Sequence, residues 1–214
     1  MFSLGRLVTI MTLGLLVYLG FYALPPGPPG DGHFDPETLA RDEVAVWRAV
    51  QGREDFGVFF SLVPMEREAH RYSWFRAAQV SFYMARAQTT FAELRGRYER
   101  VLPDLEDAAA LHKAWVKGSF DAPAVARAQL DWWVTRQMPN LNSIDQIAPL
   151  IAREYALRYQ ISESQAADAA FRRAQAMQLF ETDGADPRIG AITKLLTESY
   201  ESLQKSILQP RRPR

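Results

Sequence analysis

Cysteine is absent from all 214 residues. That removes disulfides, thiolate metal sites, cysteine nucleophiles, c-type haem attachment and a lipoprotein lipidation site together. The redox compartment stays open, because a cysteine-free chain survives in either. Histidine is scarce: His33, His70 and His112 are the whole supply. No H-x-x-x-H pair and no Glu-x-x-His of the di-iron type occurs, and Glu66 and His70, four apart, read as ordinary pairing on a helix face. The expectation is therefore no metal and no cofactor, with a haem held between His70 and His112 the one form left open. Excess charge is missing too. Twenty-five basic residues balance 25 acidic ones, so there is no basic face for nucleic acid. There is no G-x-S-x-G, P-loop or G-x-G-x-x-G, and the S-x-x-K at Ser202 to Lys205 lacks the partner motifs that would make it a catalytic signature. Alternating Val/Ile/Thr runs bounded by Asn-Gly or Asp-Gly turns are also missing, which argues against strands.

What is present begins with Leu7 to Leu24, 18 residues without a charge. As a helix this reaches about 27 Å against a hydrocarbon core of roughly 30 Å. It exceeds the usual apolar run of a signal peptide, and no A-x-A-like site precedes Pro25, so the expectation is an uncleaved signal anchor over 1–24. Arg6 precedes the span; Asp31, Asp35 and Glu37 follow it. The positive-inside bias then puts the amino terminus in the cytoplasm and the body outside, at a bacterial inner membrane. Residues 25–33, dense in proline and glycine, form a stiff spacer. At the other end, the tail 209–214 is basic and broken by proline, and reads as a solvated end.

Between spacer and tail the chain repeats itself. FDPETLARDEVAVW (Phe34 to Trp47) and FDAPAVARAQLDWW (Phe120 to Trp133) lie 86 residues apart, with Phe, Asp, Ala, Arg and Trp meeting their own kind at Phe34, Asp35, Ala40, Arg41 and Trp47. Asp35 and Asp121 read as helix caps followed by proline. Further helices are expected over 55–71, from Trp74 after a Ser73 cap, over 91–102, from Pro103 to near Gly118, over 144–160, from Ser162 to Gly184, and from Asp186 onward. Arg67-Glu68 matches Arg153-Glu154 at the same offset of 86, and Arg86 matches Arg173 at 87. The expected architecture is all-α: one transmembrane helix, then a body of two similar three- or four-helix units, 34–118 and 119–208. Each unit's apolar stripes need cover, and the other unit is the nearest cover.

The charges that repeat, Arg41/Arg127, Arg67/Arg153, Glu68/Glu154 and Arg86/Arg173, admit two readings. They could be equivalent forks for an acidic ligand. The preferred reading is structural: the arginines pair with Glu68 and Glu154 between helices, since charges in helical cores occur as satisfied pairs. Trp47 and Trp133 are expected in the core, an aromatic ligand cleft being the alternative. The paired FD…AR…W segments, with MEREAHRYSWFRAAQVSFYMARAQTTF and REYALRY, resemble an uncharacterised family of bacterial single-pass helical proteins. The resemblance implies the fold and membrane attachment but no activity. The functional expectation is a non-catalytic interaction module, an accessory or scaffold subunit of a membrane complex (respiratory, photosynthetic, transport or envelope). It would contact the bilayer through residues 7–24 and protein partners through its body. The alternative is a small-ligand or pigment-binding protein using the aromatic seam between the units. Less favoured is an envelope-modifying enzyme with Glu68 or Glu154 as acid or base.

Overall fold

The computed structural model describes residues 11–15, 30–182 and 188–209. Residues 11–15 are helical. The rest of the expected anchor, most of the spacer and the end of the basic tail lie outside the described residues. Among the described residues no helix is long and apolar enough to cross a membrane.

The body is all-α. Eight helices follow in order among the described residues: α1 (Pro36–Gln51), α2 (Asp55–His70), α3 (Trp74–Glu93), α4 (Leu102–Val116), α5 (Ala122–Gln137), α6 (Ile144–Tyr159), α7 (Glu163–Thr182) and α8 (Ile189–Leu208), with a 3-10 turn at Tyr98–Val101. Several start where the residue chemistry says they should. Asp35 accepts from Thr38 N at 2.7 Å, and Pro36 loses nothing at a position that has no intrahelical donor to give. Ser73 accepts from Arg76 N at 3.2 Å. Ser162 and Gln165 form a reciprocal capping box, with Gln165 N donating to the Ser162 hydroxyl and Ser162 N to Gln165 Oε1. Asp121 departs from expectation, since its side chain makes no cap hydrogen bond.

The helix expected over 91–102 does not form. Helix α3 runs through to Glu93, Gly96 and Arg97 then turn through positive φ (118° and 54°), and only a short 3-10 turn follows. A left-handed pair of residues cannot continue a right-handed helix. The segment from Leu102 is instead a full 15-residue helix.

Each helix packs on the next, and α8 packs back on α1, so the eight close into a ring. Short connections make neighbours antiparallel. The carboxyl ends of α1, α3, α5 and α7 therefore gather at one end of the ring, and those of α2, α4, α6 and α8 at the other. One continuous core, fed by every helix, lines the inside.

Helix lengths run 16, 16, 20 and 15 residues in the first four helices and 16, 16, 20 and 20 in the last four. Burial coincides between them as well, but not at one offset. Leu39, Ala40, Glu43 and Val44 correspond to Val125, Ala126, Gln129 and Leu130, 86 apart. Val58, Leu62 and Glu66 correspond to Ile147, Ile151 and Tyr155, and Ala77, Val80, Ala87 and Phe91 to Ala166, Ala169, Ala176 and Phe180, all 89 apart. Leu105, Ala108, Ala109 and His112 correspond to Leu196, Ser199, Tyr200 and Leu203, 91 apart. The offsets of 86 and 87 expected for the second and third helices are therefore corrected to 89.

Candidate functional site: a polar cavity inside the ring

The ring encloses a cavity of about 520 Å³, to whose wall all eight helices contribute. Gln51, Gln137 and Glu181, at the carboxyl ends of α1, α5 and α7, are exposed and rim its mouth, where Arg136 reaches across from α5 to pair with Glu181 of α7. Buried Phe34, His70 and Tyr72 form the opposite end, the floor.

Two aromatic contacts frame the upper wall, and they repeat in geometry. Trp47 of α1 meets Phe180 of α7 edge-on, centroids 5.4 Å apart at 62°. Trp133 of α5 meets Phe91 of α3 at 5.3 Å and 64°. Edge-to-face contact of this kind adds about 0.5–1.5 kcal/mol beyond the area each ring buries.

Below them sit three polar clusters. In the first, Glu43 of α1 accepts from Arg173 of α7 and, at 2.6 Å, from the Tyr200 hydroxyl of α8, while Arg173 donates to the Tyr155 hydroxyl at 2.9 Å. Burial disfavours the Arg173 cation, yet Glu43 and the two tyrosines outweigh it and hold its pKa well above the ordinary value. Burial pushes Tyr155 up to about 12. In the second, Glu154 of α6 accepts from Trp132 Nε1 at 2.7 Å and from Arg158 at 2.8 Å, and Arg158 reaches Gln129 Oε1 at 3.2 Å.

The third cluster lies at the floor. His70 Nδ1 is 2.9 Å from Asp31 Oδ1, and His112 Nε2 is 3.6 Å from the same oxygen. His112 Nδ1 shares a 2.7 Å hydrogen bond with the Tyr72 hydroxyl, and Glu66 stands 3.8 Å from His70 Nε2. Burial, reinforced by the neighbouring His70, pushes His112 down to about 4, so the ring is neutral near pH 7. Burial alone would raise Asp31, but its contacts with His112 and His70 hold the carboxyl well below the usual range.

Local structure explains how these side chains converge. His70 is the last residue of α2. Arg71, at φ 55°, turns the chain sharply so that Tyr72 points back into the ring before Ser73 starts α3. Asp31 sits on a loop pinned to α8, because Gln204 Nε2 donates to the carbonyls of Gly32 (3.0 Å) and Phe34 (2.7 Å). Gly32 holds φ +81° against α8, where an added Cβ would come within 3.0 Å of Ile207. Only glycine accepts both demands.

The ten residues singled out from sequence are dispersed. Arg41 is mostly exposed and contacts Glu37 and Thr38 on its own helix, and Arg127 and Arg153 face solvent. Arg67 stacks over Trp74 at 4.5 Å. Glu68 accepts from the Asp35 amide at 2.7 Å, tying α2 to the start of α1. Arg86 grips Asp104 of α4 with two donors, out toward solvent. The expectation that the matched arginines pair with Glu68 and Glu154 is corrected: among the described residues no ion pair joins them, and Arg173 pairs with Glu43 instead. Trp47, Trp133, Glu154 and Arg173 do line the cavity.

Glu43, Gln129, Tyr155 and Arg158 were missed, as was the place of Asp31 beside His70 and His112, a pair considered from sequence only as holders of a haem. Glu43 and Gln129 are 86 apart, so the repeat carried a signal that a search for identical residues passes over. Nothing local could have joined His70 to His112, 42 residues away. No family model, curated protein or solved structure matches the chain.

Proposed function

We propose that the protein is a membrane-tethered receptor for a small organic molecule held in the central cavity. The cavity carries this reading. Its size of about 520 Å³ falls in the range of sites that enclose cofactor-sized ligands. The wall combines flat aromatic faces (Trp47, Trp132, Trp133, Phe180) with a few placed polar groups, the mix that orients a ligand with a conjugated ring and polar substituents. Gln88 Oε1 and Arg173 Nε are buried there without a hydrogen-bond partner among the described residues. A ligand offering a donor to one and an acceptor to the other would satisfy both. The reading further holds that residues 7–24 anchor the body at a bacterial inner membrane, the Pro/Gly spacer holding it off the bilayer on the outer side. It also holds that the two sets of four helices descend from one duplicated unit.

The test is to purify the full chain from its native host in mild detergent, denature it and identify released small molecules by mass spectrometry. One compound at near-stoichiometric yield, which quenches the wall tryptophans when added back, supports the reading. No released compound, and no thermal stabilisation by host metabolite extract, overturns it.

A second reading, an accessory subunit of a membrane complex, is favoured by a different observation. Phe56, Phe60, Phe75 and Phe82 on the neighbouring helices α2 and α3 are 82, 67, 65 and 52% exposed. Large aromatic surface left in water on adjacent helices marks a contact face more often than chance. Co-purification of a defined subunit that is lost on Phe56→Ser/Phe60→Ser would favour it.

A further inference from the structure

We propose that Asp31, His70 and His112 bind one divalent transition-metal ion, zinc or ferrous iron, at the floor of the cavity. The inference does not depend on which molecule fills the space above.

One donor atom from each of the three residues lies within 4.8 Å of the others. The separations of 2.9 and 3.6 Å from Asp31 Oδ1 to His70 Nδ1 and His112 Nε2 bracket the ligand–ligand edges, about 2.9 to 3.4 Å, set by metal bonds of about 2.0–2.1 Å in octahedral or tetrahedral geometry. Two imidazoles and one carboxylate are the donor set of mononuclear zinc and non-haem iron sites, which keep coordination positions open. Here His70, His112 and Tyr72 all belong to the cavity wall, so the open positions face the cavity.

Three independent features point to an ion. His112 is 1% exposed, and its Nε2 has no hydrogen-bond partner among the described residues. A buried ring nitrogen aimed at a carboxylate yet too far to bond it is an orphan in the apoprotein and a ligand in the metal-bound one. Supporting groups are in place as well. The tautomer in which His112 Nδ1–H donates to the Tyr72 hydroxyl, 2.7 Å away, leaves the Nε2 lone pair free for the ion. When His70 turns its Nδ1 lone pair to the metal, its Nε2 proton faces Glu66. Such outer partners set the tautomer and raise the basicity of the ligands. Lastly, among the described residues Asp31 makes ion pairs with the two histidines and with no lysine or arginine, whereas Glu66, paired with His70, also lies in the field of the buried Arg158. The Asp31 carboxylate at the bottom of an enclosed space thus lacks a permanently charged partner, and a divalent ion supplies one.

The experiment uses the full chain in detergent, without a histidine tag and stripped with chelator. Zinc is titrated in competition with a chromophoric chelator, and cobalt(II) is added in parallel to read coordination from its visible d–d bands. The expected result is one equivalent bound, with tetrahedral or five-coordinate cobalt bands. Asp31→Asn, which keeps shape and volume, and the pair His70→Gln/His112→Gln should each abolish the bands and weaken zinc by about 100-fold or more. Tyr72→Phe and Glu66→Gln should weaken it by about 10- to 100-fold. Circular dichroism checks folding; if the histidine pair unfolds, Asp31→Asn decides alone. Less than half an equivalent bound by the wild type, or unchanged affinity in Asp31→Asn, overturns the assignment. So does a loss on His33→Gln, which would place the ion on the exposed histidine nearby.

Discussion

The first four helices and the last four present the same apolar scaffold to the ring and different chemistry to the cavity. At the α1–α7 crossing, Glu43 meets Arg173. At the counterpart crossing of α5 and α3, 86 and 89 residues away, Gln129 Nε2 meets Met84 Sδ at 4.0 Å. One crossing is ionic and the other is nearly neutral. At the ring's two floor positions, His70 and His112 in the first half have Tyr159 and Leu203 as counterparts, and Glu66 has Tyr155. The first half thus concentrates histidine and carboxylate, the second tyrosine. The lesson is that apolar positions hold the ring together and tolerate little change. The inward polar positions are free to diverge provided each finds a partner.

The comparison is most sharply broken at the ionic crossing. Glu43→Gln should cost about 3–5 kcal/mol in urea unfolding, because it leaves the Arg173 cation buried without its counter-charge. Adding Arg173→Met installs the pair found at the other crossing and should recover most of that loss. A double variant no better than the single would show that the crossings are not interchangeable.

Next come the two aromatic contacts. Trp47→Ala and Trp133→Ala should each destabilise by about 3–5 kcal/mol, and agree with one another to about 1 kcal/mol if the halves are equivalent in packing. A wide gap in their urea midpoints would break the equivalence.

Alkaline titration should then separate the halves by chemistry. Tyr155 ionises near 10 when unfolded but at about 12 in the fold, so its contribution is complete below pH 10 and is lost as pH rises through 12. Up to about 3 kcal/mol disappears over that window, and Tyr155→Phe should flatten the slope between pH 9.5 and 11.5. An unchanged slope would mean that the other buried tyrosines carry it.

The smallest effects belong to the arginines that the repeat makes conspicuous. Arg41→Ala, Arg127→Ala and Arg153→Ala should shift stability by no more than about 0.5 kcal/mol, as exposed charges do. A loss above 1 kcal/mol in any of them would reveal a partner role at the surface.

Much of the scaffold was legible because its signals are local. Asp35-Pro36, Ser73 and Ser162 mark helix starts, and the spacing of Leu39, Ala40, Val44 and Trp47 marks an inward face. The correspondence of Phe34–Trp47 with Phe120–Trp133 was legible for the same reason. The third-helix register was misread, since the match of Arg86 to Arg173 weighed identity over burial. Arg86 lies on the outside of α3, whereas Arg173 points inward from α7. The floor cluster was legible only as the scarcity that put His70 and His112 side by side as candidates; Asp31 joins them from a loop, and no spacing rule links the three.

By itself, then, the order of residues determined that this chain is helical, where most helices begin, and that one helix-start pattern occurs twice. Those are properties of neighbours one to four positions apart, and hydrogen bonding and side-chain periodicity act over that range. Only the closing of α8 onto α1 decided that there is an inside. Once there was one, excluding water from it made partners of Glu43 and Arg173, and brought two histidines and an aspartate face to face.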